Sequence, residues 1–188
     1  MKRKVISVLA LTLVVLMSAV LVSCDGWKQV APDEVVKEVV ADIKAQYTYF
    51  KVYINDLAFG THTPTELETT LKVVLENDYQ AKWGAGTTAV VNASASSISA
   101  KVNAPDGKNS LDINFTSIKL SDNKESVSGS FSINVKKPDT AAASSHSFET
   151  AGNFTIAARD SVTFSSVSYR GTDYDTGNFN TEMERELP

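Results

Sequence analysis

The run Val127-Ser128-Gly129-Ser130-Phe131-Ser132-Ile133-Asn134-Val135 decides the fold class. Val127, Phe131, Ile133 and Val135 fall on one parity, and Ser128, Ser130, Ser132 and Asn134 on the other. Successive side chains of a strand point to opposite faces, so this run has one dry face and one wet face. That is the pattern of an antiparallel sheet rather than of a parallel sheet buried on both sides. Phe148, Phe154 and Ile156 repeat the alternation in the next run. From Gly84 and Gly86 onward the composition is rich in Ser, Thr, Asn, Ala and β-branched residues. Turn-forming clusters separate the runs at 105–109, 121–126, 136–147 and 159–161. The expectation is a five-stranded antiparallel β-meander over 87–170.

Three runs in this region, Ala95–Ala100, Phe115–Leu120 and Phe164–Tyr169, slip parity by one residue at a pair of hydroxyl residues. One inserted residue keeps apolar side chains on the core side while bending the strand, so the slips predict β-bulges or sharp bends and a curved sheet. Gly129-Ser130-Phe131-Ser132-Ile133 also resembles Gly152-Asn153-Phe154-Thr155-Ile156. Internal duplication and convergent strand composition both account for that similarity.

Upstream the period changes. Val36, Val40, Ile43, Tyr47, Phe50, Ile54 and Leu57 are spaced alternately four and three apart, which is a helix stripe. Pro32 and Asp33 suit its first turn and Gly60 its stop, predicting a long helix to Ala58. A competing reading ends the helix near Gln46, because Tyr47, Tyr49, Lys51 and Tyr53 alternate among β-favouring residues. Thr63, Pro64 and Glu66 then read as N-cap, first-position proline and capping-box carboxylate, with Leu67, Leu71, Val74 and Leu75 at helical spacing. A second, shorter helix is expected there. A strand is the alternative, since Thr69, Leu71, Val73 and Leu75 also alternate. The fold class is therefore α+β, with these helices packed on one face of the meander.

The N-terminus carries an address. Lys2, Arg3 and Lys4 precede an apolar run from Val5 to Val22, as in an export signal. Leu21-Val22-Ser23-Cys24 follows, and Cys24 is the single cysteine of the chain. This stretch resembles the lipobox of bacterial lipoproteins, with Leu three residues before the Cys and a small residue just before it. The resemblance covers residues 1–24 and implies cleavage before Cys24 and attachment of acyl chains such as palmitate to its thiol. An uncleaved membrane-spanning helix is the alternative for an apolar run of this length. Two or three acyl chains, at about 0.8 kcal/mol per buried methylene, make an effectively permanent anchor.

The domain organisation that follows is a signal peptide over 1–23, a lipidated tether over 24–32, one α+β domain over 33–170 and an acidic flexible tail over 171–188. The implied location is the bacterial cell envelope, with membrane lipid as partner through Cys24. Losing Lys2, Arg3 and Lys4 with the signal takes the formal net charge from −4 to −7. Such a domain has no electrostatic footprint for nucleic acid. With no second cysteine, it folds without an internal disulfide.

Sequence signals for chemistry are sparse. His62 and His146 both lie in polar loop composition away from any nucleophile motif, so both are expected to be exposed loop residues. Asp173, Asp175 and Asn178 around Gly177 could offer hard oxygen ligands to calcium, but the spacing and terminal glutamate of a calcium loop are missing. No metal or other cofactor is expected. Tyr47, Tyr49, Phe50 and Tyr53 could line a groove, although core packing is the ordinary fate of rings at helical spacing. The sequence thus predicts a non-enzymatic envelope lipoprotein acting as a binding or structural module through its sheet face or loops. Its rivals are a carrier with an apolar cavity between helix and sheet, and a carboxylate-based hydrolase.

Overall fold

A computed structural model describes residues 28–139 and 144–187. Cys24, Trp27 and the signal segment lie outside the described residues. Helix α1 spans Asp33–Phe59 and α2 Pro64–Trp83. Seven strands follow: β1 Thr88–Ser94, β2 Ser97–Asn103, β3 Ser110–Leu120, β4 Val127–Pro138, β5 Ser145–Ile156, β6 Ser161–Tyr169 and β7 Thr172–Tyr174. Helix α3, Gly177–Glu186, closes the order. Every neighbouring pair is antiparallel and the strand order is sequential, so the sheet is a plain meander.

The long helix keeps its stripe: Val36, Val40, Ile43, Tyr47, Phe50, Ile54 and Leu57 are all buried. The strand alternative at Tyr47–Tyr53 fails because helical spacing puts Tyr47, Phe50 and Ile54 on one side, where local β-preference would split them. Gly60 at φ +67° ends α1, its N–H donating to Leu57 O at 3.1 Å while Thr61 N–H donates to Asp56 O at 2.9 Å. Thr63 and Glu66 form the expected reciprocal cap: Thr63 N–H donates to Glu66 Oε2 at 2.8 Å and Glu66 N–H to Thr63 Oγ1 at 3.3 Å. The second helix runs past Leu75, burying Tyr79 one turn later.

Helix α2 packs on β1 and β2, and α1 on β3 and β4, all on one face of the sheet. Between α1 and the sheet the rings meet directly: Phe50 and Phe115 lie 5.5 Å apart, Phe115 and Phe154 5.6 Å and edge to face, Tyr47 and Phe154 6.3 Å. The helix–sheet layer is therefore packed with aromatic side chains.

Three expectations are corrected. The sheet has seven strands, not five. One reason is that Ala95–Ala100 is not a bulged strand: Ser94 pairs with Ser97 and the chain turns back there, dividing the run between β1 and β2. A parity slip at two hydroxyl residues looks the same whether the strand bulges or reverses. The other two slips are bulges. Register shifts between Thr116 and Lys119, where Ser117 adopts φ +53°, and again where Ala151 and Gly152 face Ser166 and Phe164. At the second bulge the chains are so close that a Cβ on Gly152 would lie 1.9 Å from Thr163 O.

The third correction concerns residues 171–188, expected as a flexible tail. Thr172–Tyr174 extends the sheet, and Phe179 and Met183 of α3 are wholly buried. Asn180 fastens the helix to β6, accepting from Phe164 N–H at 2.7 Å and donating to Phe164 O at 3.3 Å. The domain also begins earlier than Asp33, because Gln29 bridges to Tyr174 and Ala31 is buried. Among the described residues no helix is long and apolar enough to cross a membrane.

Candidate functional site

The face of the sheet away from the helices carries the outward residues of every strand. Register aligns Lys101, Asp112, Asn134, Glu149, Ser168 and Asp173 in one row from β2 to β7. Adjacent strands lie about 4.8 Å apart, so carboxylates on β3, β5 and β7 recur at about 10 Å. Asn134 Nδ2 donates to Glu149 Oε1 at 2.8 Å, and Lys101 pairs with Asp112 at 3.8 Å at one end of the row. The adjacent row reads Asn114, Ser132, Ala151 and Ser166. Together these rows line a shallow hollow of about 390 Å³ reaching from Asp112 to Asp173.

A second hollow, of about 380 Å³, opens where the α1–α2 hairpin splays over one end of the sheet. Asp42 and Gln46 of α1 face Tyr79 and Trp83 of α2, and Leu111 and Val135 form the apolar floor. Tyr79 and Trp83 are one turn apart on α2 with ring centroids 4.5 Å apart. Gln46 Nε2 donates to the Tyr79 hydroxyl at 3.2 Å and links the two helices. Lys82, Lys136 and Lys137 line the cleft as well.

Beside this cleft sits a charged knot around His146. The expected exposed loop histidine is instead on β5 with its side chain 11% exposed. Its Nε2 lies 3.0 Å from Glu38 Oε1 and its Nδ1 3.0 Å from Asp139 Oδ1. Tyr169 OH donates to Glu38 Oε2 at 3.0 Å, and Arg170 Nη2 donates to Asp139 Oδ1 at 2.6 Å. Lys137 pairs with Asp42 and lies 3.8 Å from Glu38. A neutral imidazole has one N–H, so both carboxylates receive a hydrogen bond only from the doubly protonated ring. Burial pushes the Glu38 pKa up, but hydrogen bonds from His146 and Tyr169 and the Lys137 charge outweigh it and leave it lowered. The Ser144 hydrogen bond leads in lowering Asp139, with Arg170 and His146 adding to it. The knot joins α1, β4, β5 and the end of β6, and its role in the geometry is to clamp them.

The remaining candidates separate. His62 is exposed and lies 3.4 Å from Asp56. Asp173 belongs to the sheet row, while Asp175 Oδ1 accepts from Gly177 N–H at 2.9 Å at the start of α3. Among the described residues no group of three His, Cys, Asp or Glu side chains could hold a metal. Of the Tyr47–Tyr53 aromatics, Tyr47 and Phe50 are core, Tyr53 packs partly buried against it, and Tyr49 OH donates to Asp78 Oδ2 at 3.0 Å. Burial, followed by the nearby Asp160 charge, pushes the Tyr47 pKa far up.

Sequence reasoning missed the cleft and the knot. Trp83 followed Tyr79 at helical spacing, a signal that α2 extended further. His146 had no local signal, because Glu38 lies 108 positions away. Comparison of the chain with family models, curated proteins and solved structures finds no match.

Proposed function

We propose that this chain is a lipid-tethered, non-enzymatic binding module of the bacterial cell envelope that holds a basic polypeptide segment on the open face of its sheet. The observation that carries this reading is the row of carboxylates Asp112, Glu149 and Asp173 on alternate strands. A segment in the polyproline II conformation advances about 3.1 Å per residue with three residues per turn, so basic side chains three residues apart share one side and recur at about 9 Å, close to that spacing. Asn134 and Ser168 between the acids offer hydrogen bonds to the same segment. Charge complementarity of this kind speeds encounter and makes it sensitive to salt.

The tether is the acylated Cys24 implied by the lipobox resemblance. Two considerations favour a module over its rivals. The carboxylates Glu38, Glu66 and Asp139 are displaced toward lower pKa, opposite to what a general acid needs. The ring contacts of Phe50, Phe115 and Phe154 fill the layer where a carrier needs space.

Two experiments test the two halves. Cells fed a labelled fatty acid should label the wild-type chain and not Cys24→Ala; equal labelling contradicts the tether. Hexalysine titrated into the full mature chain should shift amide signals along the row, with affinity falling at least about tenfold in Asp112→Asn/Glu149→Gln. Shifts spread evenly over the surface, or unchanged affinity in that variant, would contradict the binding face.

A further inference from the structure

We infer that the cleft between α1 and α2 is a second binding site, which takes a small ring-shaped anion of the class of an acidic monosaccharide. It rests on its own residues and is independent of the reading of the open face. The first observation is the inventory of cations. Lys137 is committed to Asp42 and Glu38. Lys136 Nζ donates to Gly107 O at 2.7 Å, and Lys82 Nζ sits 4.8 Å from the centre of the Tyr79 ring. Among the described residues neither Lys82 nor Lys136 forms an ion pair with a carboxylate. Two ammonium groups without acidic partners thus line one cleft of a chain whose net charge is −4.

The second observation is the wall between them. Tyr79 is buried, whereas Trp83, one turn on and tilted 58° to its ring, is only partly buried and lines the cleft. The electron-rich face of an indole attracts the polarised C–H groups of a sugar ring, and Trp couples a large contact area to little conformational freedom. Asn109 adds an amide at the rim, while Leu111 and Val135 give an apolar floor. A volume of about 380 Å³ is near the lower end of ligand pockets and suits one or two rings. The C-terminal end of α2 is the negative end of its dipole, which explains the placement of Lys82 and weakens its pull on an anion. Lys136, on β4 and away from that helix end, supplies the second positive group.

The chain has two tryptophans, so Trp27→Phe leaves Trp83 as the only indole reporter. Glucuronate added to this full mature variant in detergent at low salt should give a saturable change in Trp83 emission. Glucose, which has the same ring without the acid, should bind at least about tenfold more weakly, the factor expected for losing a charge-assisted contact. Lys82→Ala/Lys136→Ala should bring glucuronate down to the glucose level. Trp83→Phe, read by calorimetry, should weaken both sugars. No saturable response to glucuronate, equal binding of glucose, or an unaltered double-lysine variant would each overturn the assignment. A double-lysine variant with wild-type melting behaviour excludes unfolding as the cause of lost binding.

Discussion

The two hollows are almost the same size, about 390 and 380 Å³, and are built in opposite ways. The first lies on paired strands, is lined by short hydroxyl, amide and carboxylate side chains, and gathers Asp112, Glu149 and Asp173 in one row. The second lies where two helices diverge over a sheet end, and is lined by Tyr79, Trp83 and long lysines. Ladder hydrogen bonds fix the first with little help from side chains, whereas the second depends on how α1, α2 and the sheet are clamped. The difference teaches that hollows of one size can be set by strand register alone or by the docking of helices on a sheet, and the two proposals assign a cationic ligand to the first and an anionic ligand to the second. The helix–sheet core holds the two apart.

The strongest way to break that comparison is through the layer between them. Phe50→Ala should cost about 3–5 kcal/mol in urea denaturation, the range for deleting a fully buried ring. A loss below about 1 kcal/mol would mean that the layer is loosely filled, and would revive the carrier reading. Gly152→Ala should cost less, about 1–3 kcal/mol, because the added methyl meets Thr163 O at the second bulge. The methyl also meets the buried Phe131 ring on the helix side, so its effect should fall on stability and leave hexalysine and glucuronate binding to the folded protein within about twofold of wild type.

The clamp beside the cleft gives a pH signature. Glu38 has a folded pKa below its ordinary 4.5. Its contribution to stability is therefore fully present above about pH 4.5 and is lost as pH falls through the lower folded value. Glu38→Gln should lower stability at neutral pH by about 1 kcal/mol, the typical value of such hydrogen bonds, and flatten the decline in acid. A steeper acid decline in the variant would contradict the clamp. The smallest change in stability is expected from Asp112→Asn/Glu149→Gln, within about 0.5 kcal/mol by thermal melting, because exposed strand side chains away from the core are nearly neutral. That variant should nevertheless lose hexalysine and retain glucuronate.

Much of the fold could be read from periodicity, because burial imposes it directly. The alternation at Val127–Val135 and the stripe from Val36 to Leu57 each report one dry face. Where a local pattern serves two structures, the reading failed: the slip at Ala95–Ala100 is a hairpin turn, and the one at Thr116-Ser117 is a bulge. Helix α3 was signalled by Phe179, Met183 and Leu187 at four-residue spacing, but acidic residues among them read as a tail. The sites were less legible than the fold. Parity placed Asn134 on the wet face, yet its alignment with Asp112 and Glu149 depends on the register of three strands. His146 and Glu38 meet only through the docking of α1 on the sheet, and the cleft needs three elements to exist at all.

The most direct measurement is an amide spectrum of one full-length mature sample, titrated first with hexalysine and then with glucuronate. Two separate sets of moving signals are predicted: residues of β3 to β7 along the Asp112–Asp173 row for the peptide, and the surroundings of Gln46, Trp83 and Asn109 for the sugar acid. Movement of the same residues by both probes, or displacement of one by the other, would contradict the account of two oppositely charged sites.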